Sequence, residues 1–187
     1  MSTRTPRPPF ALRPAQLGDA AALSRFKRVA LAETEFLLQG PEDWPGDVAA
    51  ERSLIEAFQG HSRSLLLLAL EGDNGRSANV VAMCSVVGGP FVRNAHVGQL
   101  GMAVLRSHWR SGLGRALLDY TMRWAAGPGN LRKLSLQVHT ANTPAHALYV
   151  SAGFEHEGVL RGEAMLNDAP ADLILMGRFL AEIPEMP

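Results

Sequence analysis

Residues 96–115 read HVGQLGMAVLRSHWRSGLGR, and the reading of this stretch decides the fold. Val97 to Val104 are almost all apolar or small, which is the pattern of a buried strand. Leu105 to His108 leave that strand. Ser111-Gly112-Leu113-Gly114 then opens a helix whose apolar positions follow at Leu113, Leu117, Tyr120 and Trp124. The two glycines let the backbone approach another group closely. A helix start offers unpaired N–H groups and a partial positive charge, so the turn suits a phosphate. Taken alone, the G-x-G spacing is equally compatible with a tight turn that binds nothing.

Downstream, Gly127-Pro128-Gly129-Asn130 ends the helix, and Lys133 to His139 forms another strand. The unit Ala95–Val104, Gly112–Ala126, Lys133–His139 is strand–helix–strand, so its strands are expected to be parallel with a right-handed crossover. Asn142-Thr143-Pro144 starts a helix with a polar cap and a first-turn proline, and Gly153 stops it. Strands at Phe154–Leu166 and Asp172–Phe179 flank the turn Asn167-Asp168-Ala169-Pro170. Upstream, Phe10–Arg13 is a short strand, and Asp19 stands near the start of a helix over Ala20–Leu38. Its inner positions are Leu23, Phe26, Ala30, Leu31 and Thr34. Residues 40–46 break the chain, and Asp47 caps a second helix with Val48, Leu54, Ile55 and Phe58 inside. Ser64–Glu71 and Asn79–Val87 are strands around a hairpin turn at residues 72–75. There is no internal repeat or linker. The expectation is one mixed α/β domain over residues 10–181, behind a basic, Pro-rich tail at 1–9. Its sheet is twisted and mostly antiparallel with one parallel pair, and helices lie on both faces.

Composition narrows the class. The 187 residues are 47% hydrophobic and 19% charged, with 18 acidic and 18 basic side chains. That balance does not suggest a dedicated nucleic-acid or membrane-surface partner. The single cysteine, Cys84, excludes an internal disulfide and a cysteine-based zinc site. Its apolar surroundings mark a buried structural thiol rather than a nucleophile. The N-terminus has no apolar signal region, and the aliphatic run Leu65–Leu70 is too short to span a bilayer. A cytoplasmic enzyme is the expected class.

The Gly-rich turn matches none of the common nucleotide-binding or hydrolase motifs. A dinucleotide fingerprint needs a third glycine where Leu117 stands, and an acid at the end of the next strand, which here reads Gln137-Val138-His139. The phosphate loop of nucleotide hydrolases, the nucleophile elbow and H-E-x-x-H are absent, and the histidines lack metal-ligand spacing. LGMAV at 100–104, WRSGLGRALL at 109–118 and NTPAHALYVSAGF at 142–154, in this order and spacing, resemble the GNAT superfamily of acetyl-coenzyme A-dependent N-acetyltransferases. Arg93-x-x-His96 and Asp172-x-x-x-Met176 resemble its small-molecule and amino-acid acyltransferase branch.

The resemblance implies a splayed parallel strand pair with the pantetheine arm of acetyl-CoA between the strands. It implies main-chain contacts from Met102, Ala103 and Val104, and a pyrophosphate held on the turn Trp109, Arg110, Ser111, Gly112, Leu113, Gly114 and Arg115. Trp109 stands where the family pattern has Gln or Arg, which displaces arginine to position 110. Asn142 matches an asparagine that helps hold the pantetheine, and Tyr149 a tyrosine near the thioester sulfur. A phenol there can protonate the leaving thiolate. Asn142 also reads as a simple helix cap, and Tyr149 as a core residue.

The glutamate that many relatives use as general base falls at Gly98, so the usual base is missing. His96, two residues earlier on the same strand face, has a suitable intrinsic pKa. Glu33 and Glu35, bordering the expected acceptor pocket, are alternatives for the base or for gripping the amine, and a water chain is another. The implied reaction is transfer of acetyl to a primary amine of a small molecule by direct attack in a ternary complex, with no metal. Acetylation of a protein N-terminus or lysine, and acyl-CoA sensing without turnover, are the alternatives. Relatives are often homodimers.

Overall fold

The computed structural model describes residues 10–44, 46–72 and 79–180. The tail at 1–9 and most of the turn expected at 72–75 lie outside the described residues. Among the described residues, seven strands form one sheet in the order β1-β2-β3-β4-β5-β7-β6. They are β1 (Phe10–Pro14), β2 (Leu65–Glu71), β3 (Asn79–Gly88), β4 (Val97–Val104), β5 (Lys133–His139), β6 (Glu155–Leu166) and β7 (Ala169–Phe179). Every neighbouring pair is antiparallel except β4 and β5, which are parallel as the strand–helix–strand unit requires.

The aliphatic run Leu65–Leu70 shows why the sheet is covered on both sides. Side chains alternate faces along a strand, yet all of these are buried. Leu65, Leu67 and Ala69 join a core with α3 (Leu113–Ala126) and α4 (Thr143–Ser151). Leu66, Leu68 and Leu70 join a second core with α1 (Ala20–Glu33) and α2 (Val48–Gln59). Leu67 and Leu68 are each 0% exposed, and burying a leucine contributes about 2 kcal/mol. The strand thus anchors one helical layer with each face.

Several boundaries differ from the sequence expectation for local reasons. The helix expected over Ala20–Leu38 ends at Glu33, because Thr34 turns extended and its hydroxyl accepts the Phe36 N–H at 3.2 Å. The strand expected from Ala95 begins at Val97. Residues 92–96 form turns, with the Asn94 side chain accepting the Phe91 N–H at 2.9 Å. Val48 is exposed rather than inside. On α3 the buried stripe is Leu113, Leu117, Leu118, Thr121 and Ala125, with Tyr120 and Trp124 half-buried beside it. Asp47 caps α2 as expected, accepting the Ala49 N–H at 2.9 Å. Asp19 stands at the start of α1 but clamps Arg13 of β1 through two bonds of 2.7 and 2.8 Å. Burial pushes the Asp19 carboxyl up, but bonds from Arg13 and the Gln16 N–H outweigh it and hold it below the usual carboxylate range.

One buried charge ties the α1/α2 layer together. Glu51 of α2 is 2% exposed and accepts from Lys27 Nζ of α1 at 2.9 Å. The same oxygen accepts the Trp44 indole N–H at 2.9 Å, which pins the segment between the helices. Removing one member strands a buried carboxylate, whereas removing both does not. Lys27→Met is therefore expected to cost about 3 kcal/mol in urea unfolding. The double change Lys27→Met with Glu51→Leu is expected to recover most of that loss. Equal costs for the single and double variants would refute the pairing.

Candidate functional site

The site begins where β4 and β5 part. They pair at only three positions, Val97↔Lys133, Gly98↔Leu134 and Gln99↔Ser135. Beyond Gln99, β4 stays with β3 as far as Ala82↔Val104, while β5 stays with β7 as far as His139↔Leu173. Each strand follows its outer neighbour, so a gap opens between them.

Hydrogen-bond direction shows which backbone groups enter the gap. Gly89 N–H donates to the Val97 carbonyl at 2.9 Å, and Leu105 N–H to that of Val81 at 3.0 Å. Odd-numbered residues of β4 therefore face β3, and alternation turns the even ones toward β5. The His96 carbonyl, accepting from Arg132 at 2.8 Å, fits this. Leu100, Met102 and Val104 thus present their backbone to the gap, and Ala103 turns its backbone to β3. By the same logic, Leu180 N–H to the Arg132 carbonyl and Thr140 N–H to that of Asp172 turn even residues of β5 to β7. Gln137 and His139 face the gap. Such a pair of open strand edges can take an extended amide chain.

The gap leads to the turn before α3. Arg110 and Gly112 are both left-handed, at φ 58° and 82°. For a non-glycine residue that conformation is strained. The first helical bond runs from Ala116 N–H to the Gly112 carbonyl, so the N–H groups at 113–115 lack helical acceptors, and no side chain caps this end. Trp109 is not aimed at a phosphate; its indole N–H donates to the Val104 carbonyl at 2.8 Å, binding the turn to the strand end. Ser111 Oγ donates to the His108 carbonyl at 2.7 Å. Arg115 lies along α3, bonded to Asp119 at 2.8 Å and to the Ser151 carbonyl at 3.2 Å. A Cβ on Gly114 would stand 2.9 Å from Leu148 of α4 and 3.7 Å from Met102, so this glycine lets α3, α4 and β4 meet.

Asn142 caps α4, its side chain accepting the Ala145 N–H at 3.3 Å. Tyr149 of α4 is 6% exposed and packs edge-on against Phe154 at 5.8 Å. Burial, with a smaller contribution from neighbouring Cys84, pushes its phenol up, so it remains protonated at neutral pH. Cys84 is Met102's partner across β3 and β4, which places the Tyr149 ring beside the strand that borders the gap. Cys84 is itself buried, pushed up to about 12 by burial, and accepts from Thr121 Oγ1 at 3.4 Å. It is an inert thiol, as its sequence context indicates.

The acceptor-side candidates are dispersed. Glu33 closes off the end of α1: its carboxylate accepts the Arg106 N–H at 2.7 Å, and its carbonyl accepts from the Arg106 guanidinium at 2.8 Å. Glu35 lies against the side-chain amide of Asn167 in the β6–β7 turn, whose nitrogen reaches the carboxylate when the amide is turned to donate. His96 is exposed in the turn before β4, about 13 Å of strand from Leu100, where the gap starts. Gly98 is buried on the α3 face, where a Cβ would stand 2.6 Å from Val86 Cγ1 and 2.7 Å from Leu131 Cδ1. No acid fits there. Sequence reading missed two polar residues at the fork: Gln99 Oε1 accepts from Ser135 Oγ at 3.0 Å on the opposite face. It also missed His139, buried against Phe36 at 5.7 Å on that same face. Parity along a parallel pair would have flagged Gln99, but only the register shows where the pair opens. Among the described residues, no group of three or more His, Cys, Asp or Glu is placed to hold a metal ion, and no helix is long and apolar enough to cross a membrane.

Gly98→Ala is expected to cost about 1–3 kcal/mol in urea unfolding through overpacking. Gly98→Glu is expected to lose cooperative thermal unfolding rather than gain a base. A folded, more active Gly98→Glu protein would overturn this. Cys84 supplies a pH test. Its native pKa lies above the unfolded value, so the unfolded chain loses the thiol proton first as pH rises. Native stability should fall between about pH 9 and 12, by at most about 1.4 kcal/mol per pH unit. Cys84→Ala should flatten that decline in unfolding curves taken across this range.

The family model described as "Acetyltransferase (GNAT) family" matches residues 30–154. An N-alpha-acetyltransferase of Sulfurisphaera tokodaii is 37% identical over 71 residues, which is 38% of this chain and 41% of that protein. This chain therefore matches less than half the length of that curated relative. An acetyltransferase of the GNAT family from Streptococcus pneumoniae superposes with a TM-score of 0.84 at 26% identity, covering 92% of this chain and 99% of that one. The fold is also that of a phosphinothricin acetyltransferase from Sinorhizobium meliloti, solved with AcCoA, at a TM-score of 0.80 and 17% identity over 96% of this chain and 92% of the other. With the parallel pair, the gap and the uncapped turn of α3 in the expected order, the chain belongs to the acetyltransferase (GNAT) family.

Proposed function

We propose that this chain transfers the acetyl group of acetyl-CoA to a primary amine of a small molecule, an amino acid or similar compound. Attack is direct, within a ternary complex. The observation that carries this reading is the gap between β4 and β5, which runs from the fork at Gln99 to the uncapped N–H groups of α3. The pantetheine amides would pair with the Met102 backbone and the Val104 N–H along one edge, and the pyrophosphate with the turn at 110–115. Helix N–H groups and the partial positive charge there favour an anion. Arg110 adds positive charge in that turn, and Arg115 would reach the anion by leaving Asp119.

Tyr149 supplies the acid. As a phenol it carries its proton at neutral pH, and that proton is available when the tetrahedral intermediate expels the thiolate. Among the described residues the one thiol, Cys84, is buried and kept protonated, which supports direct attack over a cysteine-linked acyl intermediate.

A small acceptor is supported by the contact between Glu35 and Asn167. It ties the segment after α1 to the β6–β7 turn, a closure that suits a compact acceptor better than an extended peptide. The local identity with an N-alpha-acetyltransferase favours a second reading, a peptide N-terminus.

Thiol release from acetyl-CoA with a panel of amino acids, polyamines and short peptides tests these readings. Turnover on an amino acid or similar small amine is expected. Turnover on peptide N-termini alone would replace it with the second reading. Acetyl-CoA binding without turnover on any amine would make the chain a sensor and overturn both. Tyr149→Phe is expected to lower kcat about a hundredfold with little change in KM for acetyl-CoA, measured by the same assay.

A further inference from the structure

Among the described residues, the buried side-chain nitrogen and oxygen atoms without a partner are Glu51 Oε2 and both ring nitrogens of His139. Glu51 is held through its other oxygen by Lys27 and Trp44. His139 is held by nothing. An imidazole carries a donor and an acceptor when neutral, and two donors when charged, so a buried ring with neither nitrogen bonded needs a reason. Its place in the fold supplies one. His139 ends β5, with its backbone toward the gap, and is 3% exposed beneath Phe36. Leu134, Leu136 and Val138 pack into the core with α3 and α4, so alternation puts His139 on the opposite face with Ser135 and Gln99. Tyr149 belongs to the α3/α4 core. Tyr149 and His139 therefore stand on opposite faces of the sheet, His139 on the strand that forms one edge of the gap.

We propose that His139 is the acceptor-side base of this site, accepting a proton from the incoming ammonium. The proposal rests on the N-acetyl-transfer reading above. His139 removes one proton from the acceptor's ammonium, and the freed lone pair forms the C–N bond at the thioester carbonyl. The C–S bond breaks, and the sulfur takes the Tyr149 phenolic proton. Tyr149 regains a proton from the acylated nitrogen, which is then a neutral amide, and the imidazolium releases its proton to solvent. The sum is ammonium plus acetyl-CoA giving amide, free CoA thiol and one proton.

The ionisable groups on the surrounding elements are already engaged elsewhere. Glu33 holds Arg106, Glu35 meets Asn167, Asp172 of β7 accepts the Gly162 N–H at 2.8 Å, and His146 of α4 contacts His156. Tyr149 faces the other core. The ring is thus left for a substrate rather than for an internal ion pair.

The test uses the full chain and the best amine from the thiol-release panel, with His139→Leu, His139→Gln and His139→Ala. His139→Leu is expected to unfold at or above the wild-type Tm, because it removes an unpartnered polar ring. Its kcat/KM is expected to fall about a hundredfold and to lose the acidic limb of the pH profile. Acetyl-CoA binding, followed by calorimetry, should be unchanged, and added imidazole should restore part of the His139→Ala rate. Wild-type kcat/KM with an intact acidic limb in His139→Leu or His139→Gln would overturn the proposal. Loss of cooperative unfolding in all three variants would assign the ring to packing and overturn it too. Failure of the parent reading is seen separately, as a wild-type protein that turns over no amine at all.

Discussion

The site depends on a short parallel ladder. β4 and β5 share only three paired positions before each continues with an antiparallel partner. A longer ladder would bury the edges that face the gap, and a shorter one would leave the two halves of the sheet unjoined. Gly98 sits in the middle of this ladder, packed against Val86, Leu131 and Leu134 so closely that no side chain fits. The absence of an acid there follows from packing.

Other contacts serve to hold the two edges in place. Trp109 joins the turn before α3 to the last carbonyl of β4, and Arg106 joins the same end to α1 through Glu33. At position 109, where the family pattern has Gln or Arg, an indole donor braces the turn, while the backbone N–H groups at the start of α3 stay without helical acceptors. The strain at Arg110 falls in that same turn, and Gly112 takes the left-handed conformation beside it without strain.

Much of this was legible in the linear chain. Polar caps, glycine stops and the doubly covered β2 run are local signals, so Asp47, Asn142, Gly153 and Leu65–Leu70 were placed correctly. Where expectation failed, a competing local bond had won. Thr34 ends α1 by taking the Phe36 N–H, and Asn94 holds residues 91–96 out of the strand. The motif spacing placed the strand edge, the glycine turn and the helix after it, because these need only a set order and distance along the chain.

By itself the sequence determined the order of the elements, the parallel pair, the family and the inert character of Cys84. These follow from periodicity, capping and spacing, which are properties of neighbouring residues. The tertiary structure decided which residues face the opening. Whether Ala103 or Met102 offers its backbone depends on the register with β3. Whether Glu33 is free depends on Arg106, more than seventy residues away in the chain. His139 looks like any strand histidine until folding buries both of its nitrogens without a partner. Long-range pairing sets such contacts, and no local pattern encodes them.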